Sequence, residues 1–466
     1  MIENMDIPRI LKRALRKGGD FAELFEEISR STHIVREGRR FEKILGGADT
    51  GVGLRVLHNG KTAYAYTNDV REETLLTLAE NLAEAVQAGE WNRDIILKNL
   101  SPTWKATIEI DPCTVPMEEK VAILKKADAL AWGLDPRIRQ VTTSYRDQRR
   151  HIRIANSLGE FCEDQQTYLV FVVQAVAAEG DGVQTGYEPL GGTAGFELLK
   201  DDRALEIAEQ AGRRAIRMLE APVAPSGPMS VVVAAEAGGT LVHEAVGHGL
   251  EADLACEGLS IYQGKLGETV ANPLITVVDD PTLPGKRGSF LFDDEGTPSR
   301  RNVLIDRGVL KNYMSNRIYS ERNGLPRSAN GRRESYRHRP IVRMTNTMIA
   351  PGQDDPSSIL NGVDRGLYVT RMGSGQVNTV NGDFVFEVSE GFLIRHGKID
   401  HPVRGATLTG NGPEVLKTID RVGNDLGYGL GTCGKDGQGV PVADAQPTLR
   451  IPEITVGGQG EIMSQE

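Results

Sequence analysis

Two histidines and a glutamate stand close together in "LVHEAVGHGLEAD", residues 241–253. His243 and Glu244 begin the pattern H-E-x-x-H, in which histidines four apart on a helix share a zinc ion and the glutamate serves as base. Here the second histidine is His248, one residue late. Residues five apart lie about 140° apart around a regular helix, too far to share one ion. A widened, π-type turn would bring them into phase, and such turns are frequent at functional sites. Gly247 and Gly249 flank His248 and make a local distortion inexpensive. The spacing therefore predicts either a bulged helix ending near Gly247 with a metal on it, or a helix carrying two unrelated histidines.

A catalytic zinc needs a third protein ligand and an open position. Glu251 and Asp253 offer nearby oxygens. Cys433, in "LGTCGKDGQGVPV", is the other candidate. It is read as a loop residue between glycines, where Lys435 and exposed backbone N–H groups favour the thiolate. Cys113, Cys162 and Cys256 are read as structural or incidental. The cysteines are far apart with no C-x-x-C pair, which suggests reduced thiols in the cytoplasm.

The elements that must position these groups fall into three stretches. Residues 1–110 read as helix, strands, helix, with "IPRILKRALRK" first, "FAELFEEISRS" and "HIVREGRRFEKI" alternating like strands, a hairpin turning at Asn59-Gly60 and "REETLLTLAENLAEAVQAG" last. Residues 111–225 repeat that order of elements without repeating the sequence. The strands "IRQVTTSYRD", "RRHIRIANSLG" and "TYLVFVVQAVAAEG" lie between two helical runs. "APVAPSGP" then marks a break. Residues 226–466 read as short strands between glycine turns, apart from the helix bearing His243. The expected fold class is α+β: an α/β N-terminal part with two helix-strands-helix units, then a β-rich C-terminal domain carrying the metal-binding helix.

With 466 residues, two or three domains are expected. Hydrophobic residues at 39% and charged residues at 25% give the balance of a soluble globular protein. The formal charge of −10 repels phosphate backbones, so nucleic-acid binding would need a local basic patch. The seven arginines between Arg322 and Arg343 could make one. No apolar run is long enough to span a membrane, and the polar start "MIENMDIPRI" shows no secretory signal.

The stretches "HEAVGHGLEAD", "GSFLFDDEGTPSRRNVLIDRGVL", "MTNT", "ATLTGNGPEVL" and "CGKDGQGVPV", in this order, resemble the TldD/PmbA family on its TldD side. The resemblance covers nearly the whole chain. This family is known both as modulators of DNA gyrase and as metalloproteases. The resemblance implies that His243, His248 and Cys433 hold zinc and that Glu244 is the catalytic acid/base. Glu251 and Asp253 become candidates to hold the imidazole hydrogens. It also implies a dimer, with a PmbA/TldE-type subunit as the expected partner and unfolded peptides as substrates. Arg333, Tyr336 and His338, in "NGRRESYRHRP", are candidate oxyanion donors, with Asp293, Asp294 and Glu295 as internal partners for the arginines. The competing functions are a non-enzymatic regulator binding DNA gyrase or DNA, and a thiol hydrolase using Cys433 with a histidine.

Overall fold

The structure is a computed structural model describing residues 5–86, 89 and 91–460. Its first part contains α1 (Ile7–Ala14), β1 (Phe21–Glu37), β2 (Arg40–His58), β3 (Lys61–Thr67) and α2 (Glu72–Val86). Then come β4 (Lys98–Asn99), α3 (Met117–Gly133), β5 (Ile138–Asn156), β6 (Glu160–Glu179), β7 (Gly182–Gly192) and α4 (Arg203–Glu220). Asp6 caps α1 by accepting the Arg9 N–H, and Asn59-Gly60 turns the β2–β3 hairpin with both residues at positive φ.

The two helix-strands-helix units share one sheet, of order β3-β2-β1-β5-β6-β4 with β7 also on β6. They join through the long antiparallel β1–β5 pairing, from Glu23↔Asn156 to Glu37↔Thr142. Even-numbered β1 residues such as Leu24 and Ile34 face the helices. There they pack with α1 and α2 at one end and with α3 and α4 at the other. On the other face, Phe25, Ile152, Ile154 and Cys162 meet Phe292 and Tyr336 at one end, and β7 approaches Gly285 and Leu430 at the other edge. Between these contacts the face lines a groove.

Two strand expectations are corrected. "HIVREGRRFEKI" is not one strand: the chain turns at Gly38 and Arg39, both at positive φ, between β1 and β2. Conversely, residues 138–156 form a single strand, β5, rather than two.

The C-terminal part adds β8 (Gly227–Val233), β9 (Val277–Asp279), β10 (Asn302–Asp306), β11 (Val309–Leu310), β12 (Gly331–Arg332), β13 (Ile341–Val342) and β14 (Asn346–Ile349). These are followed by β15 (Arg365–Val377), β16 (Asp383–Arg395), β17 (Lys398–Val403), β18 (Thr407–Asn411), β19 (Arg421–Val422), β20 (Gly427–Lys435), β21 (Gln438–Gln446) and β22 (Leu449–Gly457). Strands β15, β8, β22, β18 and β16 pair in a ring, because β16 also pairs with β15, and so close a barrel. A second sheet has the order β11-β10-β9-β14-β21-β20, leaving β20 at its edge. The segment Thr240–Leu250 sits between barrel and sheet, with Val242, Ala245, Val246 and Leu250 in the largest apolar core. Among the described residues, no helix is long and apolar enough to cross a membrane.

Candidate metal centre

The histidine-bearing segment is not a regular helix. A short α-turn, Thr240–Val242, runs into a π-helical turn at His243–Gly247 and then a 3₁₀ turn at His248–Leu250. The His248 N–H donates to the His243 carbonyl five residues back. That extra residue brings the two imidazoles together, with ring centroids 5.2 Å apart and planes at 89°. The bulge required by the spacing is present, although the neighbouring glycine has a different role from the one expected. Gly247 has ordinary helical dihedrals, φ −57° and ψ −53°. A Cβ there would overlap Met344 Sδ, so this glycine serves close packing.

Cys433 is also corrected: it lies within β20, only 4% exposed, not on a loop. The glycines beside Cys433 were misleading: Gly437 belongs to the turn after β20 and Gly434 faces open space, whereas Gly427 and Gly429 further back on the strand mark close approach. A Cβ on Gly427 would overlap the Ala235 carbonyl, and one on Gly429 would overlap the Asp444 carboxylate. Buried Arg343 fixes the strand locally by donating to the carbonyls of Cys433 and, at 3.1 Å, Gln438.

His243, His248 and Cys433 each present one ligand atom, and these atoms lie within 4.8 Å of one another. Cys433 Sγ is 3.6 Å from His248 Nε2. Burial pushes the Cys433 thiol up, but the two histidines outweigh it and bring the thiol down to about 5. His243 and His248 are raised correspondingly against the effect of burial, by Cys433 for the first and by Glu251 and Cys433 for the second.

The His248 ring is oriented from behind. Its Nδ1 lies 2.8 Å from Glu251 Oε2, and Glu251 is fully buried. Burial would raise the Glu251 carboxyl, but Lys435 and His248 hold it at about 2. An ionised Glu251 can only accept, so His248 Nδ1 carries the hydrogen and Nε2 is directed to the cluster. Lys435 Nζ completes the arrangement at 3.0 Å from Glu251, 2.6 Å from Asp253 and 3.1 Å from the Val342 carbonyl. Asp253 therefore acts through Lys435 and makes no contact with either imidazole. Burial raises its carboxyl to about 6.

This donor set suits zinc: two imidazoles, a thiol biased to thiolate, and a carboxylate–histidine pair. His243 Nδ1 adds a buried polar atom with no hydrogen-bond partner among the described residues. Glu244 is half-buried, and its carboxylate forms no hydrogen bond or ion pair among the described residues. Asp444, on β21, was missed in the sequence. It is buried near His243, accepts the Gly239 N–H at 2.8 Å, and has its carboxyl raised by burial against the lowering effect of His243. Its signal was an acidic residue inside the apolar run "PVADAQ".

The chain matches three models in order: the PmbA/TldA metallopeptidase domain 1 at residues 22–89, the central domain at 110–219 and the C-terminal domain at 226–458. The chain belongs to the PmbA/TldD metallopeptidase family. Its relatives include a metalloprotease TldD homologue of Haemophilus influenzae, 37% identical over 94% of this chain and 93% of that one. A zinc metalloprotease TldD homologue of Saccharolobus solfataricus is 27% identical over 97% and 99%. The fold is shared with a putative modulator of DNA gyrase from Thermotoga maritima, with TM-score 0.78, 23% identity and coverage of 94% and 96%. It is also shared with TldE from Thermococcus kodakarensis, with TM-score 0.77, 18% identity and coverage of 97% and 99%.

Within this PmbA/TldD chain, the expected oxyanion donors are engaged elsewhere. Buried Arg333 pairs with Glu23, and its N–H donates to Asp294 at 2.8 Å. Tyr336 packs on β2, with its hydroxyl 3.2 Å from Asp49 and its N–H donating to Glu27. His338 is half-buried with Nδ1 3.1 Å from Ser335 Oγ. The acidic run Asp293–Glu295 is an internal partner, as the sequence suggested. The arginines of 322–343 do not form a basic patch. Arg332, Arg333 and Arg343 are buried, Arg322 pairs with Glu257, Arg327 with Glu321 and Arg337 with Asp49, and Arg339 alone of the seven is exposed without an ion pair among the described residues.

Beside Cys433, β20 has an open edge. Asp436 and Gly437 form a two-residue turn closed by the pair Lys435↔Gln438. Antiparallel pairs alternate, so Gly434, Thr432 and Leu430 direct their N–H and C=O groups away from β21. Pro441, which has no N–H to give, lies opposite Thr432 as this alternation requires.

Proposed function

We propose that this chain is a zinc peptidase cleaving short or unfolded peptides, with His243, His248 and Cys433 holding the metal and Glu244 as general base. The observation that carries the reading is the convergence of the three ligand atoms across the π-turn, with Glu251 behind His248. Zinc bound there would supply Lewis acidity, polarising a carbonyl and allowing water to lose a proton near neutral pH. Glu244 accepts the proton of the attacking water and returns it to the leaving amine. Its lack of a competing cation or donor among the described residues suits a group that must take up and release a proton.

The peptide lies extended along β20 and pairs with the outward N–H and C=O groups of Leu430, Thr432 and Gly434. Pairing through main chain places a scissile bond beside Cys433 without reading its side chains, so sequence preference near the cut is broad. A PmbA/TldE-type subunit is the proposed partner, supported by the shared fold with TldE.

Elemental analysis of variants tests the site. Cys433→Ala should lose most of its zinc, and Glu244→Gln should keep zinc yet lose peptidase activity. Full zinc in Cys433→Ala removes Cys433 as a ligand, and wild-type turnover in Glu244→Gln removes the base. Activity without stoichiometric metal would indicate a thiol hydrolase instead.

A further inference from the structure

The helix-free face of the N-terminal sheet forms one wall of a groove of about 870 Å³ that ends against β20 and β21 at Thr432, Gly439 and Pro441. Helices cover the opposite face; on this side β1 and β5 are largely polar, while β6 adds Tyr168, Val170 and Val172 beside Gln174. Ser29, Ser31, Ser144, Gln148 and Gln174 supply hydroxyls and amides that carry no charge. The charges that remain are uneven in sign. Among the acids, Glu27 is paired with Arg150 and Asp49 with Arg337. Asp147 is paired with Lys120 on the helix-covered side, whereas Glu334 accepts the Gly439 N–H at 2.6 Å and has no cationic partner among the described residues, so one carboxylate stands against the unpaired cations.

Three cations are left without a carboxylate. Lys43 and Arg146 are exposed and form no ion pair among the described residues. Arg287 donates to the Gly431 carbonyl at 3.0 Å and to Thr432 Oγ1 at 3.3 Å, which fixes it against the strand that carries Cys433. His33, on the same wall, is held below its ordinary pKa by burial, then by Arg146 and Lys43, which favours its neutral form. Arg287 is likewise lowered, chiefly by burial, with Arg332 and Arg146 adding to it.

We propose that this wall docks acidic stretches of the substrate peptide, with Arg146, Lys43 and Arg287 as the anion-binding groups, and delivers the adjoining residues to the open edge of β20. The inference rests on the peptidase reading above and gives it a substrate class. Backbone pairing at β20 is indifferent to sequence, whereas a cationic groove leading to it selects chains with acidic residues at a distance from the cut. A peptide is favoured over a nucleic acid because the groove runs onto a free strand edge and the chain as a whole carries −10.

The test uses the full-length zinc-loaded chain carrying Glu244→Gln, so that binding is read without turnover. Fluorescent unstructured peptides share one central sequence and differ only in a Glu-rich, Gln-rich or Lys-rich flank. The Glu-rich peptide should bind about tenfold tighter than the Gln-rich one at low salt, a gap that added salt removes. Adding Lys43→Gln and Arg146→Gln should abolish the gap, and Arg146→Lys should preserve it. Equal binding of the Glu-rich and Gln-rich peptides, preference for the Lys-rich flank, or tighter binding of single-stranded DNA would each overturn the proposal. Cleavage by the wild-type chain without acidic preference would leave the peptidase reading standing. Acidic preference with no cleavage of any peptide would do the reverse.

Discussion

Lys435 occupies a position at the site that its sequence neighbourhood understated. It lies two residues beyond Cys433 on one strand, and its ammonium reaches Glu251, which orients His248 from a different segment. One cation thus links two of the three candidate ligands, through the chain to Cys433 and through Glu251 to His248. Lys435→Met should leave the chain folded but release Glu251 from its partner. Removal of a group that orients a ligand typically weakens metal binding roughly 10–100-fold. Competition with a chelator should show that loss, and Lys435→Arg should recover part of it. Unchanged metal affinity in Lys435→Met would mean that Glu251 is held well enough by His248 alone. Asp253 was legible as a nearby carboxylate, but its role was not, because its partner Lys435 is 182 residues away.

The π-turn shows how much a single element contributes to the site. The anomalous spacing of His243 and His248 was itself the signal for the bulge, since only a widened turn could bring both rings to one side. Hairpins and amphipathic helices were equally plain, with Asn59-Gly60 and the run ending at Glu220 as clear cases. Elements were misread where polarity had a tertiary cause. The middle of β5 reads "RDQRR" and looked like a break, yet Asp147 is buried against Lys120 on the helix-covered side while Arg146 and Gln148 face the groove. Likewise β20 read as a loop although Gly427 and Gly429 accommodate Ala235 and Asp444, partners invisible along the sequence. The packing at Gly247 gives a prediction on this scale. Gly247→Ala places a methyl group against Met344 Sδ and should destabilise the chain by about 1–3 kcal/mol, the usual range for overpacking. Adding Met344→Ala should restore part of that loss in a denaturant titration. A Gly247→Ala variant as stable as wild type would show that the turn can move without cost.

At the scale of the whole molecule, the seam between the N-terminal sheet and the C-terminal part contains a cluster of buried ionic groups. Glu23 of β1 receives Arg55 at 2.7 Å and also pairs with Arg333 from the C-terminal part, while Arg55 reaches Glu295 at 2.7 Å. Glu295 also accepts the Arg317 N–H at 2.6 Å. All these side chains are essentially excluded from solvent, and Phe25 and Phe21 lie under the Arg333 and Arg317 guanidiniums at 4.1 and 4.0 Å. Burial raises the Glu23 carboxyl, but Arg55 and Arg333 outweigh it and hold the group below its ordinary value. With the folded pKa depressed, the stabilisation is present above the ordinary carboxylate range and is lost as pH falls through the depressed value. Glu23→Gln imposes that loss at neutral pH and leaves two buried cations short of a partner. Breaking one member of such a cluster costs about 3–5 kcal/mol, whereas replacing the whole cluster with apolar residues of similar volume is often neutral or stabilising. Glu23→Gln should therefore lower the unfolding midpoint strongly, and the triple variant Glu23→Leu, Arg55→Leu, Arg333→Met should recover much of it. The site makes no contact with Glu23, so zinc content of the folded fraction should stay at the wild-type level in both. If Glu23→Gln unfolds like wild type, the seam is held by Phe25, Ile152, Phe292 and Tyr336, and the ions contribute orientation rather than stability. If zinc falls in step with the loss of Glu23, then the N-terminal sheet also sets the geometry of the metal centre, and the two parts of the chain cannot be treated as independent.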